Sequence, residues 1–170
     1  MWVIVIFPPV SVFADTAKNW ENLSNITTVA LPLAALTSNY LNDDFDGAKQ
    51  FLLSESSSIL FAELLKQNIH SRRPDGSDYQ SFPSAQTAVS FAAATFMDRR
   101  YSDGLYGGAT LWYAVAAVTG LSRVKANKHH LEDVIAGGML GAANAYFWTE
   151  PRQPGKNLGV SLLPLSNGLM

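Results

Sequence analysis

Apolar residues along this chain recur at helical spacing, and no stretch alternates as a strand would. The first such stretch runs from Ile26 to Leu41, rich in alanine and leucine, and ends near Asn42, Asp43 and Asp44. Asp44 or Asp46 can cap the next, from about Gly47 to His70, whose apolar positions are Phe51, Leu52, Leu60, Phe61, Leu64 and Leu65. The segment RRPDGSDYQSFP, Arg72 to Pro83, is dense in Pro, Gly, Asp and Ser and reads as a loop. The helical pattern resumes from Ser84 to about Arg99, turns at YSDGLYGG, and continues from Ala109 to Leu121. After a second loop, SRVKANK, Asn127 can cap a last helix from Lys128 to about Trp148. The tail from Glu150 is broken by Pro and Gly and is expected to lie over the bundle or fray. The expected fold class is all-α, a helical bundle of about five to six helices.

Composition narrows this picture. The 170 residues suffice for one domain with a sizeable core, and 48% hydrophobic against 15% charged residues describes a packed chain. The net charge of -2, with no basic block, argues against nucleic acid as a partner. Cysteine is absent, which removes disulfides, thiolate metal sites and cysteine nucleophiles, and suits an exported protein. The opening MWVIVIFPPVSVFADT is an apolar run ending in Val12, Phe13 and Ala14, the pattern of a secretory signal cleaved before Asp15. It lacks a positive start, and Pro8-Pro9 would interrupt a membrane helix; the alternative is a short amphipathic or buried N-terminal segment. The expected organisation is a signal peptide over 1–14 and a single domain over 15–170, in a periplasmic or extracellular location. Thr87–Met97, Gly107–Leu121 and Val134–Trp148 are free of charge but fall short of the ~18 apolar residues of a spanning helix. They read as buried helices of a soluble bundle, with membrane association, including peripheral contact, as the alternative.

Three segments carry candidate chemistry. In KQNIHSRRP, Lys66 and Arg73 are seven apart, two turns on one helical face, and would clamp a multiply charged anion; a solvated face is the ordinary alternative. Ser84 stands at a helix start, where its hydroxyl and the first free amides, Ala85 among them, can face phosphate oxygens, or where it simply caps. In SRVKANKHHLEDV, His129 and Asp133 are four apart, so that Asp133 can hold one imidazole nitrogen and aim the other as base or nucleophile. Arg123 adds a third cation, and an exposed His–Asp surface pair is the bland reading. His129, His130, Glu132 and Asp133 lie side by side without further spaced ligands, which disfavours a metal site.

Taken in order, Lys66, six residues, Arg73-Pro74, then Pro83-Ser84, then Ser122-Arg123, five residues, His129, three residues, Asp133, the chain resembles the type 2 phosphatidic acid phosphatase and vanadium haloperoxidase superfamily. The resemblance spans Lys66 to Asp133 and continues through VIAGGMLG to Gly141. It implies a helical bundle in which Lys66, Arg73 and Arg123 bind phosphoryl oxygens, with Ser84 and the Ala85 amide completing the cradle. It also implies that His129 attacks phosphorus to form a phosphohistidine while Asp133 orients it. No metal or other cofactor is implied, because the cations supply the charge stabilisation. Vanadate is expected only as a phosphate mimic, since haloperoxidases of the family are generally much longer.

One position departs from the family pattern, which places Gly-His after Pro-Ser; here the pair is Ala85-Gln86. The family histidine protonates the leaving oxygen, and glutamine cannot. General acid catalysis contributes ~10²–10⁴-fold, so its loss is chemically large. Three readings follow: a substrate such as a diphosphate whose leaving group needs no proton; a substitute acid, His70, which on a continuous helix shares a face with Lys66 and Arg73; or a binding protein that keeps the cradle without turnover. The functional expectation is a phosphohydrolase acting on a phosphorylated small molecule or lipid phosphate. A phosphate-binding pseudoenzyme and a structural helical domain are the other classes. Tyr79, Phe82, Tyr101 and Tyr106 are candidates for the pocket rim and equally for the core.

Overall fold

The computed structural model describes residues 10–102 and 108–152, which form five helices: α1 Val10–Leu41, α2 Phe45–Asn68, α3 Ala85–Tyr101, α4 Ala109–Lys125 and α5 Leu131–Trp148. The all-α expectation holds; among the described residues the only β pairing is an isolated bridge between Ser71 and Gln80. Residues 1–9 lie outside the described residues, and the expected cleavage point before Asp15 falls within α1.

The arrangement follows from α3. Its sequence AQTAVSFAAATF is built largely of small residues, so neighbouring backbones can approach it on every side. It touches all four other helices, which form a ring around it in the order α1, α2, α5, α4. Eleven of its seventeen residues are buried. Phe51 of α2, Phe96 and Met97 of α3, Leu31 of α1 and Ala116 of α4 close the core, with the Phe51 and Phe96 rings 4.9 Å apart.

The closest approach is between α3 and α5. A Cβ added at Gly137 would collide with the Ser84 carbonyl, and one added at Gly141 with the Ala88 carbonyl. These glycines let the two helices meet backbone to backbone, and Ser84 N–H donates to the Asp133 carbonyl at 2.9 Å. The first turns of α3 and α5 are thereby locked together at one end of the molecule. At the other end, Arg100 grips both oxygens of Asp44, at 2.8 and 2.6 Å. Asp44 also caps α2 by accepting from Gly47 N–H, as expected. The Tyr101 hydroxyl shares its one proton between Asn39 and Asp44 there, so of its two expected places, rim and core, it takes the core.

Several expectations change, beginning with α1, which starts at Val10 and not at Ile26. Helix α2 stops at Asn68, with Ile69 already extended, so Lys66, His70 and Arg73 do not share a helical face. Helix α4 runs on through Lys125, which puts Arg123 in its last turn instead of in a loop. Asn127 does not cap α5: it adopts a positive φ of 55° just beyond α4, a conformation asparagine tolerates. The last helix starts at Leu131, not Lys128, with His130 as its N-cap, so His129 precedes it. The charge-free runs divide as well. α3 is buried, but α4 exposes Leu111, Val118 and Leu121, and α5 exposes Ile135, Met139, Tyr146 and Phe147. Members of the ring have only α3 to pack against on the inside, so their outward apolar faces stay uncovered.

The backbone seam gives a direct test. Gly141→Ala should lower stability by about 1–3 kcal/mol despite alanine's better helix propensity, because the methyl meets a main-chain carbonyl. A chemical denaturation midpoint equal to the parent's would mean that α3 and α5 do not meet at that carbonyl.

Candidate active site

The end of the bundle where α3 and α5 begin and α2 and α4 finish gathers the chemistry. His129 lies in the short link between α4 and α5 and is 3% exposed. The link is folded back by two amides, those of Lys128 and His129, which donate to the Arg123 carbonyl at 3.0 and 3.4 Å. The imidazole Nδ1 lies 2.7 Å from the Ser81 carbonyl. A carbonyl only accepts, so Nδ1 carries the proton and Nε2 keeps its lone pair. Arg73 Nη1 stands 3.4 Å from that Nε2.

Asp133 does not hold the ring directly, which corrects the expected His–Asp contact. Its Oδ2 is 3.7 Å from Nδ1, beyond hydrogen-bond range. That oxygen instead accepts from the Ser81 hydroxyl at 2.5 Å and from His130 N–H at 2.8 Å. Asp133 therefore anchors Ser81, and Ser81 orients the ring. The physical cause is the late start of α5: with His129 outside the helix, the four-residue spacing no longer sets a helical geometry.

The two arginines differ in their surroundings. Arg73 is fixed by Asp78, with Nε to Oδ1 at 2.8 Å, and by the Lys128 carbonyl, at 3.1 Å. Arg123 is 7% exposed and, among the described residues, reaches only Ser24 Oγ, at 3.3 Å, and leaves Nε buried without a partner. Among the described residues no carboxylate lies within ion-pair distance of it. Burial first, then the neighbouring Arg73 charge, lower its pKa, with the more distant carboxylates of Glu21 and Asp75 opposing. The same forces act on the ring: burial first, then Arg123 and Arg73, push His129 down to about 4, with the Ser81 hydrogen bond and Asp133 opposing. An opening of about 460 Å³, lined by Arg72, Arg73, Pro74, Asp75, Gly76 and His130, lies beside this group.

The remaining candidates fall at varying distances from the chemistry. Ser84 caps α3, accepting from Thr87 N–H at 3.4 Å and bonding Thr87 Oγ1 at 2.9 Å, and it is fully buried, so its hydroxyl is turned inward. The amides of Ala85 and Gln86 then stand at the positive end of α3, without intrahelical acceptors. Lys66 sits in the last turn of α2, paired with Glu63 at 3.0 Å. His70 is exposed beyond the end of α2, which removes the shared-face argument for it as substitute acid. Gln86 Nε2 donates to Asn25 Oδ1 at 2.9 Å, so its carboxamide is turned toward α1. Among the described residues no three His, Cys, Asp or Glu side chains gather as metal ligands would.

Comparison with known proteins fits this arrangement. The sequence profile of the PAP2 superfamily matches residues 47–153. The chain belongs to the PAP2 superfamily. The crystal structure of Aquifex aeolicus LpxE shares the PAP2 fold seen here, with a TM-score of 0.66 over 86% of this chain and 98% of that one, at 18% identity. Lipid A 1-phosphatase of Porphyromonas gingivalis is 39% identical over 69 residues, which are 41% of this chain and 16% of that protein. The chain thus spans about a sixth of the length of that relative.

Sequence reasoning missed three residues that contact these candidates. Ser81 acts largely through its main-chain carbonyl, which no side-chain pattern reports. Ser24 and Asn25 lie on α1, outside the matched region.

The buried ring makes stability depend on pH. The unfolded chain protonates His129 near 6.5, whereas the folded site resists protonation down to about 4. Its contribution is fully present above 6.5 and is lost as pH falls to 4, on the order of 3 kcal/mol across that window. Denaturation midpoints of the parent should fall over this range more steeply than those of His129→Gln. Parallel curves would mean that the ring is not held neutral by the fold.

Proposed function

We propose that this chain is a phosphohydrolase acting on a lipid phosphate through a phosphohistidine. One observation carries the reading: a buried guanidinium, Arg123, in contact with no carboxylate among the described residues, beside a second, Arg73, which faces the lone pair of a neutral imidazole. Such a group is costly to bury alone and becomes favourable when an oxyanion joins it. With phosphate oxygens on Arg73, Arg123 and the first amides of α3, His129 Nε2 attacks phosphorus and the ester oxygen departs with its bonding electrons. Water then cleaves the N–P bond, and the histidine is restored as phosphate leaves. The Ser81 carbonyl, anchored by Asp133, stabilises the positive charge the ring acquires during attack.

Two further observations favour a lipid substrate. All four ring helices present large apolar residues outward, among them Leu33 on α1, Leu60 on α2, Leu121 on α4 and Met139 on α5. Exposed apolar area on this scale suits contact with acyl chains, which supports a membrane-associated location. Among the described residues no helix is long and apolar enough to cross a membrane. The name of the Porphyromonas gingivalis relative, lipid A 1-phosphatase, points the same way. A second reading, binding without turnover, is favoured by Gln86, which offers no proton to a leaving oxygen.

Hydrolysis of phosphatidic acid and of a lipid diphosphate in detergent micelles tests both. His129→Ala should abolish release of phosphate from either while vanadate still binds; surviving hydrolysis would remove the nucleophile assignment. Gln86→His should raise monoester turnover, by as much as ~10²-fold, and change diphosphate turnover little. Vanadate binding by a parent that hydrolyses neither lipid would establish the binding-only reading.

A further inference from the structure

Helix α1 lies entirely outside the matched region, yet it touches the site at consecutive residues. Ser24 is fully buried; its hydroxyl proton goes to the Glu21 carbonyl at 2.7 Å, which turns an oxygen lone pair toward Arg123 Nη1 at 3.3 Å. Asn25, the next residue, accepts from Gln86 Nε2 at 2.9 Å. One turn earlier, Glu21 lies 3.7 Å from Lys128, the neighbour of His129. The unpartnered Arg123 Nε and Gln86 Oε1 are both closed off from solvent near these contacts. The open donor of Arg123 suits an anion, and the two groups, on different helices, are each gripped by one of two adjacent residues of α1.

We propose that Ser24 and Asn25 are positioning residues of the anion site, Ser24 setting the Arg123 guanidinium and Asn25 holding the Gln86 carboxamide against α1. Gln86 is then a tether between α3 and α1 and does no proton transfer. This rests on the reading of the site as a phosphate cradle. α1 is in that case a wall of the site as well as part of the bundle.

The test uses the full chain in detergent micelles, with inorganic vanadate as the probe and calorimetry as the readout. Ser24→Ala should weaken vanadate roughly three- to tenfold, the effect of losing one hydrogen bond that aims a charged donor. Asn25→Leu and Gln86→Leu should weaken it by similar factors, and the double variant by no more than either, because both remove the same contact. Thr27→Val provides the structural control. Thr27 is buried on the same helix, accepts from Thr119 at 2.8 Å and donates to the main-chain carbonyls of Leu23 and Ser24, and among the described residues it makes no hydrogen bond to Arg123 or Gln86. It should lower the unfolding midpoint and leave vanadate affinity at the parent's value. Parental affinity in Ser24→Ala, additive losses in the Asn25 and Gln86 pair, or an equal loss in Thr27→Val would each overturn the proposal. If the parent itself fails to bind vanadate, the phosphate reading fails and the positioning roles fall with it.

Discussion

A guanidinium removed from water without a carboxylate beside it is the constraint on which this molecule turns. The chain contains its own comparison. Arg100 and Arg123 are 8% and 7% exposed, at opposite ends of the same bundle. Arg100 is met by both oxygens of Asp44, by the Glu150 carbonyl and by Gln50. Its charge is balanced within the fold, and it joins α3 to the α1–α2 turn. Arg123 has one serine hydroxyl and an unused Nε. A sequence that balances one buried arginine so fully and leaves the other open separates a structural role from one completed by a ligand.

The open arginine also fixes the state of the histidine. Two cations beside a buried imidazole disfavour a third positive charge, so the ring stays neutral and Nε2 keeps the electron pair that attack on phosphorus requires. In the proposed mechanism the arrangement is self-consistent: the anion that relieves the arginines is also the electrophile. Its negative charge, once bound, eases the charge that develops on the ring as the N–P bond forms. The Ser81 carbonyl suits that step, because it holds the Nδ1 proton throughout without becoming protonated itself.

Much of this was legible in the sequence, for identifiable reasons. Helix existence followed from apolar spacing, and the caps at Asp44 and Ser84 from residue type at a helix start. Arg73, Arg123, His129 and Asp133 were flagged by order and offset, and the first three do converge. Helix ends were less legible, and they carried the geometry. Two residues lost from α2 separated His70 from Lys66 and Arg73; four gained by α4 carried Arg123 into a helix; three lost from α5 released His129 from the helical relation to Asp133. The burial of the apolar runs was misjudged because periodicity reports which face is apolar and not what covers it. α3 and α5 read alike in sequence, yet α3 is enclosed by protein while α5 turns Met139 and Phe147 outward.

Gln86 brings these strands together. A histidine there would place a proton donor at the start of α3, where the leaving oxygen of a phosphate on His129 would lie. Glutamine at that place has instead been drawn into the packing between helices, with its amide nitrogen committed to Asn25. The substitution and the contact fit each other: a group with no proton to give costs nothing catalytically when it is tied to a neighbouring helix, whereas an acid tied in that way would lose the freedom to reach substrate. The departing group must then be stabilised by what remains at that corner, the amides at the start of α3 and the arginine charges. These favour a leaving group that carries its negative charge readily. Under the proposed mechanism, selectivity for the leaving group thus follows from the same positive charge that would hold the phosphate.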